Sequence, residues 1–174
     1  NDAESKYLLA TAYLQLGAQE KAVEILELGW SMERKENIAI LLSELYFKLG
    51  LLEKGEEFCG EALRCFPDNL ELYLNMGNIL LANKKPDRAM KMFNAALDID
   101  VNEVEAWIGI AKSHLLRGDM EGAVNVMSTY LDEHPDSKKG WKFLYELFSK
   151  MGLKDEIEHC RKVMSMLGVD MDEQ

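Results

Sequence analysis

The sequence predicts an all-α fold: five helix-turn-helix repeats, about ten antiparallel helices, in one domain over residues 1–174. Three observations lead there. Gly17, Gly50, Gly118 and Gly152 are separated by 33, 68 and 34 residues, and Ala22, Gly55, Ala89 and Ala123 keep the same interval. Between these markers apolar residues recur with helical spacing, as in Trp107, Ile110, Ala111 and His114. No stretch alternates with period two for long, so no sheet is expected.

The repeats run approximately 3–35, 36–69, 70–103, 104–137 and 138–171. The first carries "KYLLATAYLQLGAQEKAV" from Lys6, a helical pattern broken at Gly17, where a positive φ is cheap, and resumed at Ala22. The second holds the longest apolar run, "IAILL", turns at Gly50 and ends at the polar, proline-bearing "FPDN". The third contains "YLNMGNILLANKKPDRAMKMF" from Tyr73. Its turn glycine is missing and Lys84 stands in the place, within the still turn-like "ANKKPDRA". The fourth is "WIGIAKSHLLRGDMEGAV" from Trp107, closed by "HPDS". Tyr73, Trp107 and Trp141 are each 34 apart, and Pro67 and Pro135 are 68 apart. In the fifth repeat Tyr145 and Ile157 replace small residues and Arg161 stands where a buried residue is usual, as suits a terminal cap with a soluble outer face. The first repeat starts within a few residues of Asn1, which suggests an array cut from a longer protein.

These motifs resemble tetratricopeptide repeats, 34-residue helix-turn-helix units with a W-x2-L-G-x2-Y…A-x3-F…P pattern, and the resemblance covers nearly the whole chain. It implies a right-handed α-solenoid. Small pairs let the two helices of a repeat approach: Ala10 with Ala22, Ser43 with Gly55, Gly77 with Ala89, Ala111 with Ala123. Phe93, Leu97, Trp107 and Met127 are expected between repeats, and Trp107→Ala to cost about 3–5 kcal/mol.

Composition bounds the function. Apolar residues make up 48% of the chain, and the net charge is -11, so phosphate neutralisation, and with it nucleic-acid binding, is disfavoured. No apolar run approaches the roughly 18 residues of a membrane span. Cys59, Cys65 and Cys160 lack CxxC spacing and are expected as buried thiols, which favours a reducing, cytoplasmic setting. The start at Asn1 leaves a removed leader, and so the periplasm, open. There is no GxxxxGK[ST], HExxH, GxSxG or GxGxxG motif, and His114, His134 and His159 fall in different repeats. His114 is expected as a core residue. No catalysis, cofactor or metal is expected, and the ten methionines suit core and groove filling.

The resemblance further implies that the first helix of each repeat lines a shared groove for a partner peptide or helix. Carried onto this sequence, the groove holds Tyr7, Leu8, Thr11 and Leu14; Ile40, Leu41, Glu44 and Phe47; Leu74, Asn75, Asn78 and Leu81; Ile108, Gly109, Lys112 and Leu115; then Lys142, Phe143, Glu146 and Ser149. Tyr7, Leu14, Ile40, Leu41, Phe47, Leu74, Leu81, Ile108 and Leu115 would form an exposed apolar stripe, unless the superhelix closes and makes them core. Asn75 and Asn78 would set the register of a partner's main chain, or else be solvated or bonded to neighbouring helices. Gly109 would let a partner backbone come close, or pack against an adjacent helix. Lys112, Lys139, Lys142 and Lys150 would meet an acidic end of the partner, or remain solvated. The clamp used by relatives for the acidic C-terminus of chaperones is not expected, since its places hold Tyr7, Thr11, Leu41, Glu71 and Asn75. The expected function is a protein-protein interaction module for an apolar peptide or amphipathic helix. A secretion or assembly chaperone and a self-associating scaffold are the alternatives.

Overall fold

The structure, a computed structural model, describes residues 2–169. Among them are ten α-helices and no strand. In chain order these are α1 (Ala3–Gln15), α2 (Gln19–Met32), α3 (Glu36–Lys48), α4 (Leu52–Cys65), α5 (Leu70–Ala82), α6 (Pro86–Ile99), α7 (Val104–Leu116), α8 (Met120–Glu133), α9 (Lys138–Met151) and α10 (Lys154–Met166). This is an all-α helical repeat fold, with one helix pair in each 34-residue period.

Every first helix closes with the same turn. A left-handed residue follows it, and the next N–H reaches back to a carbonyl of the last turn: Ala18 to Tyr13 at 2.9 Å, Leu51 to Tyr46 at 2.9 Å, Asp119 to His114 at 2.9 Å. The left-handed residue is glycine in four repeats. In the third it is Lys84, φ 55°, with Lys85 N bonded to Leu80 O at 2.8 Å. Tertiary packing therefore holds a side chain in a region that costs L-residues roughly 1–2 kcal/mol. Helix starts are sealed by side chains where the sequence offers them. Asp2 accepts from Ser5 N and Asn69 from Leu72 N, both at 2.8 Å, and Pro86 opens α6, where its missing N–H costs nothing.

The chain divides into two compact units, Asn1–Val101 with α1–α6 and Asn102–Gln174 with α7–α10. In the first, α1 packs on α2, α3 on α4 and α5 on α6. The pairs are joined through α2 with α3, α4 with α5 and α3 with α5. Its core includes Leu26, Ile38, Leu42, Tyr46 and Phe58, with Trp30 and Tyr46 each edge-on to Phe58 at 5.2 and 5.4 Å between centroids. The small pairs are buried, and the space is tight: a Cβ on Gly77 would stand 2.6 Å from the Phe93 ring, and one on Gly55 2.9 Å from Ile79 Cδ1. Burial pushes the Cys59 thiol up to about 12, against a lowering hydrogen bond with Ser43, so this cysteine is inert packing.

In the second unit α7 packs on α8 and α9 on α10, joined through α8 with α9 and α7 with α9. Met127, Leu131, Leu144, Leu147, Cys160 and Met164 form its core, flanked by Trp107 at 5.9 Å from Tyr130. Arg161 is exposed, as a cap requires. It lies across Tyr145, donating to the phenol oxygen at 3.3 Å. Two expectations are corrected here. Cys65 is exposed, because it lies on the outer side of the last turn of α4, whose Ala62 and Leu63 face the core. His114 is half-buried rather than core: its Nδ1 lies 2.8 Å from Asp119 Oδ2, while Asp119 Oδ1 accepts from Gly122 N, so the imidazole braces the turn into α8.

Candidate functional site

In the first unit the expected partner face comprises one stripe on each of α1, α3 and α5. Tyr7, Leu14, Ile40, Leu41, Leu74, Asn78 and Leu81 are half-buried there. Tyr7, Leu14, Ile40 and Leu41 lean against the core, so part of their apolar surface is already used. Leu8 and Phe47 stand out, 61% and 40% exposed. The stripe is thus a shallow apolar surface with two prominent side chains.

The two amides separate. Asn75 Nδ2 donates to Ser43 Oγ at 2.8 Å and reaches Ile40 O at 3.5 Å, while Ser43 Oγ itself donates to Ile40 O at 2.8 Å. Asn75 is therefore a strap between α5 and α3, and its NH2 group is committed inside the protein. The buried hydroxyl at Ser43, in a column that holds Ala or Gly in the other three of the first four repeats, was the signal that could have revealed this. The Asn78 side chain, one turn on, makes no hydrogen bond to another described residue.

In the second unit the equivalent face is built differently. Ile108 is 8% exposed and belongs to the core, and Gly109 is buried, its carbonyl accepting from Ser113 Oγ at 2.8 Å. Leu115 is half-buried. Lys112 and Lys142 are exposed and unpaired among the described residues, and Lys150 is exposed. Lys139 is committed: its Nζ lies 2.6 Å from Glu105 Oε1, tying α9 to α7, and that carboxylate holds the ammonium above the usual lysine range. No three His, Cys, Asp or Glu side chains among the described residues converge as a metal site. No helix among them is long and apolar enough to cross a membrane.

The region that sequence reasoning missed lies where second helices meet the next pair. There Leu131, Trp141, Leu144 and Phe148 line a cleft of about 400 Å³ in the second unit. The signal was Trp141, an aromatic of the column shared with Tyr73 and Trp107.

Comparison with known proteins gives the following. One tetratricopeptide repeat model matches residues 50–108 and 80–144, and a second matches residues 3–35. Tetratricopeptide repeat protein 8 of Caenorhabditis elegans is 27% identical over 150 residues, 85% of this chain and 28% of that protein. FK506-binding protein 5 of Rhizopus delemar is 25% identical over 121 residues, 65% of this chain and 31% of that protein. The chain thus spans under a third of the length of these two curated relatives. Among solved structures, a tetratricopeptide repeat protein from Parabacteroides merdae superposes with a TM-score of 0.81, at 20% identity, over 94% of this chain and 64% of that one. The 41-to-end part of MamA from Desulfovibrio magneticus RS-1 gives 0.75 at 15% identity, over 99% and 97% of the two chains. The repeat period, the paired helices and these matches agree: the chain belongs to the tetratricopeptide repeat family.

Proposed function

We propose that the chain is a non-catalytic interaction module whose first unit captures the apolar face of an amphipathic helix or an apolar peptide. Membership of the family supports a protein-interaction or scaffold role. The observation that carries the finer reading is the α1, α3 and α5 stripe, where Leu8 and Phe47 stand exposed beside half-buried Ile40, Leu41, Leu74 and Leu81. Surface leucines and phenylalanines scattered singly need no explanation, but a contiguous stripe does. Burying one such side chain fully contributes about 1.5–3 kcal/mol, so the stripe supplies affinity. Asn78, with its free amide, supplies register against a partner's main chain. In the second unit, Lys112 and Lys142 suit an acidic partner segment.

The test is capture of a partner from the source lysate by the whole chain and by two variants, Phe47→Glu and Leu74→Glu with Leu81→Glu, each checked for helicity by circular dichroism. The expected result is loss of the captured partner in both with helicity unchanged. Phe47 is exposed, so its variant folds whatever the fate of the other. Capture that survives Phe47→Glu would refute the reading. Sedimentation at several concentrations separates partner binding from self-association on the same stripe.

A further inference from the structure

The second unit carries a preformed cleft lined by residues of α8, α9 and α10. Its floor is apolar and aromatic: Leu131 from α8, with Trp141, Leu144 and Phe148 from α9. The Trp141 ring is fixed before any ligand arrives, because its Nε1 donates to Pro135 O at 2.8 Å and His159 of α10 stands edge-on to it at 5.7 Å. Three carboxylates, Asp132, Asp155 and Glu156, complete the lining. None has an ion-pair or hydrogen-bond partner among the described residues.

The first unit holds a cleft at the same register, and the comparison shows what is missing from the second. Gly60, Arg64, Met76 and Arg88 line it, and 68 residues further on stand Ser128, Asp132, Leu144 and Glu156. The charges at two of the four places are reversed. In the first unit two of the cations are answered internally: Glu56 bonds Lys85 Nζ at 2.7 Å and also pairs with Arg88. Burial acts to raise the Glu56 pKa, but the two cations outweigh it and hold the carboxyl below its usual range. The place of Glu56 is taken in the second unit by Val124 and that of Lys85 by Leu153, so neither charge recurs, and the basic side chain in the lining is His159. Asp155 and Glu156 sit in the first turn of α10, where the helix dipole favours them. Asp132 has no such support. It lies in the last turn of α8, which contains no basic residue and whose dipole disfavours an anion. A cation supplied from outside would relieve that cost.

We propose that this cleft binds a basic peptide segment, seating an apolar side chain against Trp141, Leu131, Leu144 and Phe148 and bringing a neighbouring Arg or Lys to Asp132 and Glu156. The cation belongs on a side chain because the described acids do not converge as a metal site and the floor is apolar. Arginine fits best, since its guanidinium can donate to a carboxylate from its edge while its face stacks on an indole. The net charge of -11 would draw such a segment in from a distance.

The probe is a blocked tetrapeptide of two leucines between two arginines, with glutamates replacing the arginines in a control. Each is titrated into the 15N-labelled full chain while the indole N–H signal of Trp141 is followed, assigned by its loss in Trp141→Phe. The expected result is a saturable shift of that signal with the arginine peptide and none with the control. The double variant Asp132→Asn with Glu156→Gln, at exposed positions, should weaken binding about tenfold and flatten its salt dependence. Equal shifts with both peptides would overturn the charge assignment. An unmoved Trp141 signal, or unchanged affinity in the double variant, would overturn the site.

Discussion

Helices α5 and α7 occupy the same place in neighbouring repeats and present opposite chemistry. Leu74, Asn75, Asn78 and Leu81 on α5 correspond, 34 residues on, to Ile108, Gly109, Lys112 and Leu115 on α7. On α5 the second of these side chains straps the helix to α3 through Ser43. On α7 it is absent, and α7 is tied to α9 from outside the core, by Glu105 and Lys139. One unit therefore adds a part-buried amide-hydroxyl bond to exposed ties such as Lys35 with Glu4 and Asn69 with Glu36, and leaves an apolar stripe. The other uses an exposed ion pair and leaves cations. The packing columns recur because close helix approach demands small residues and a left-handed turn. The face columns are free to diverge because nothing inside the repeat constrains them.

The packing columns can be tested against each other first. Phe93 and Met127 hold one place in the two units, and both are essentially inaccessible, at 1% and 0%. Phe93→Ala should cost about 3–5 kcal/mol and Met127→Ala about 2–5 kcal/mol, measured by urea unfolding. The Phe93 ring sits against bare Gly77, which no other side chain can fill on truncation, so its loss should fall at the upper end. A cost under about 1 kcal/mol at either place would mean that the column does not hold its unit together.

The turns sharpen the comparison at the next scale. Lys84→Gly removes left-handed strain but loosens the unfolded chain, and the net expectation is a gain of about 0.5–1 kcal/mol. Gly118→Ala, with φ 80° and open space around it, should lose about 1 kcal/mol through backbone strain alone. Thermal unfolding of the two variants should move in opposite directions.

These places were legible in the sequence because they obey the period. The helix pairs, the turn at Lys84 and the small residues at Ala89 and Ala123 all follow from spacing and sterics. The fate of Asn75 did not follow, because its partner Ser43 lies in a different column and only the packed helices bring the two together. Ile108 and Leu74 share a column, yet one is core and the other half-buried; each depends on which helices crowd its own stripe. The charge pattern of the acidic cleft was hidden for a related reason, since Asp132 and Glu156 become meaningful only beside their counterparts Arg64 and Arg88.

The two amides of α5 separate strap from recognition. Asn75→Ala leaves Ser43 bonded to Ile40 O, so the cost should be about 0.5–1.5 kcal/mol, with partner capture retained. Asn78→Ala should leave the unfolding midpoint unchanged and weaken capture. An exchange of these outcomes would return Asn75 to the partner face.

The smallest effect belongs to the outer strap of the second unit. The Lys139 side chain is 67% exposed and Glu105 48% exposed, so their ion pair is screened by solvent and Lys139→Ala should cost no more than about 1 kcal/mol, less at high salt. Lys142→Ala removes an exposed lysine that has no partner among the described residues and should leave stability unchanged. If an acidic partner segment docks on this face, it is Lys142 and Lys112 whose removal weakens binding, whereas Lys139 already has its carboxylate. Losing Lys139 would then matter to the partner only indirectly, by freeing Glu105 to repel the same acidic segment. Charge reversal decides between the two routes: Glu105→Lys with Lys139→Glu restores the internal pair and should restore stability, yet moves a positive charge from α9 to α7. Binding that follows stability in the swapped protein marks Lys139 as a strap, and binding lost while stability returns marks it as a contact.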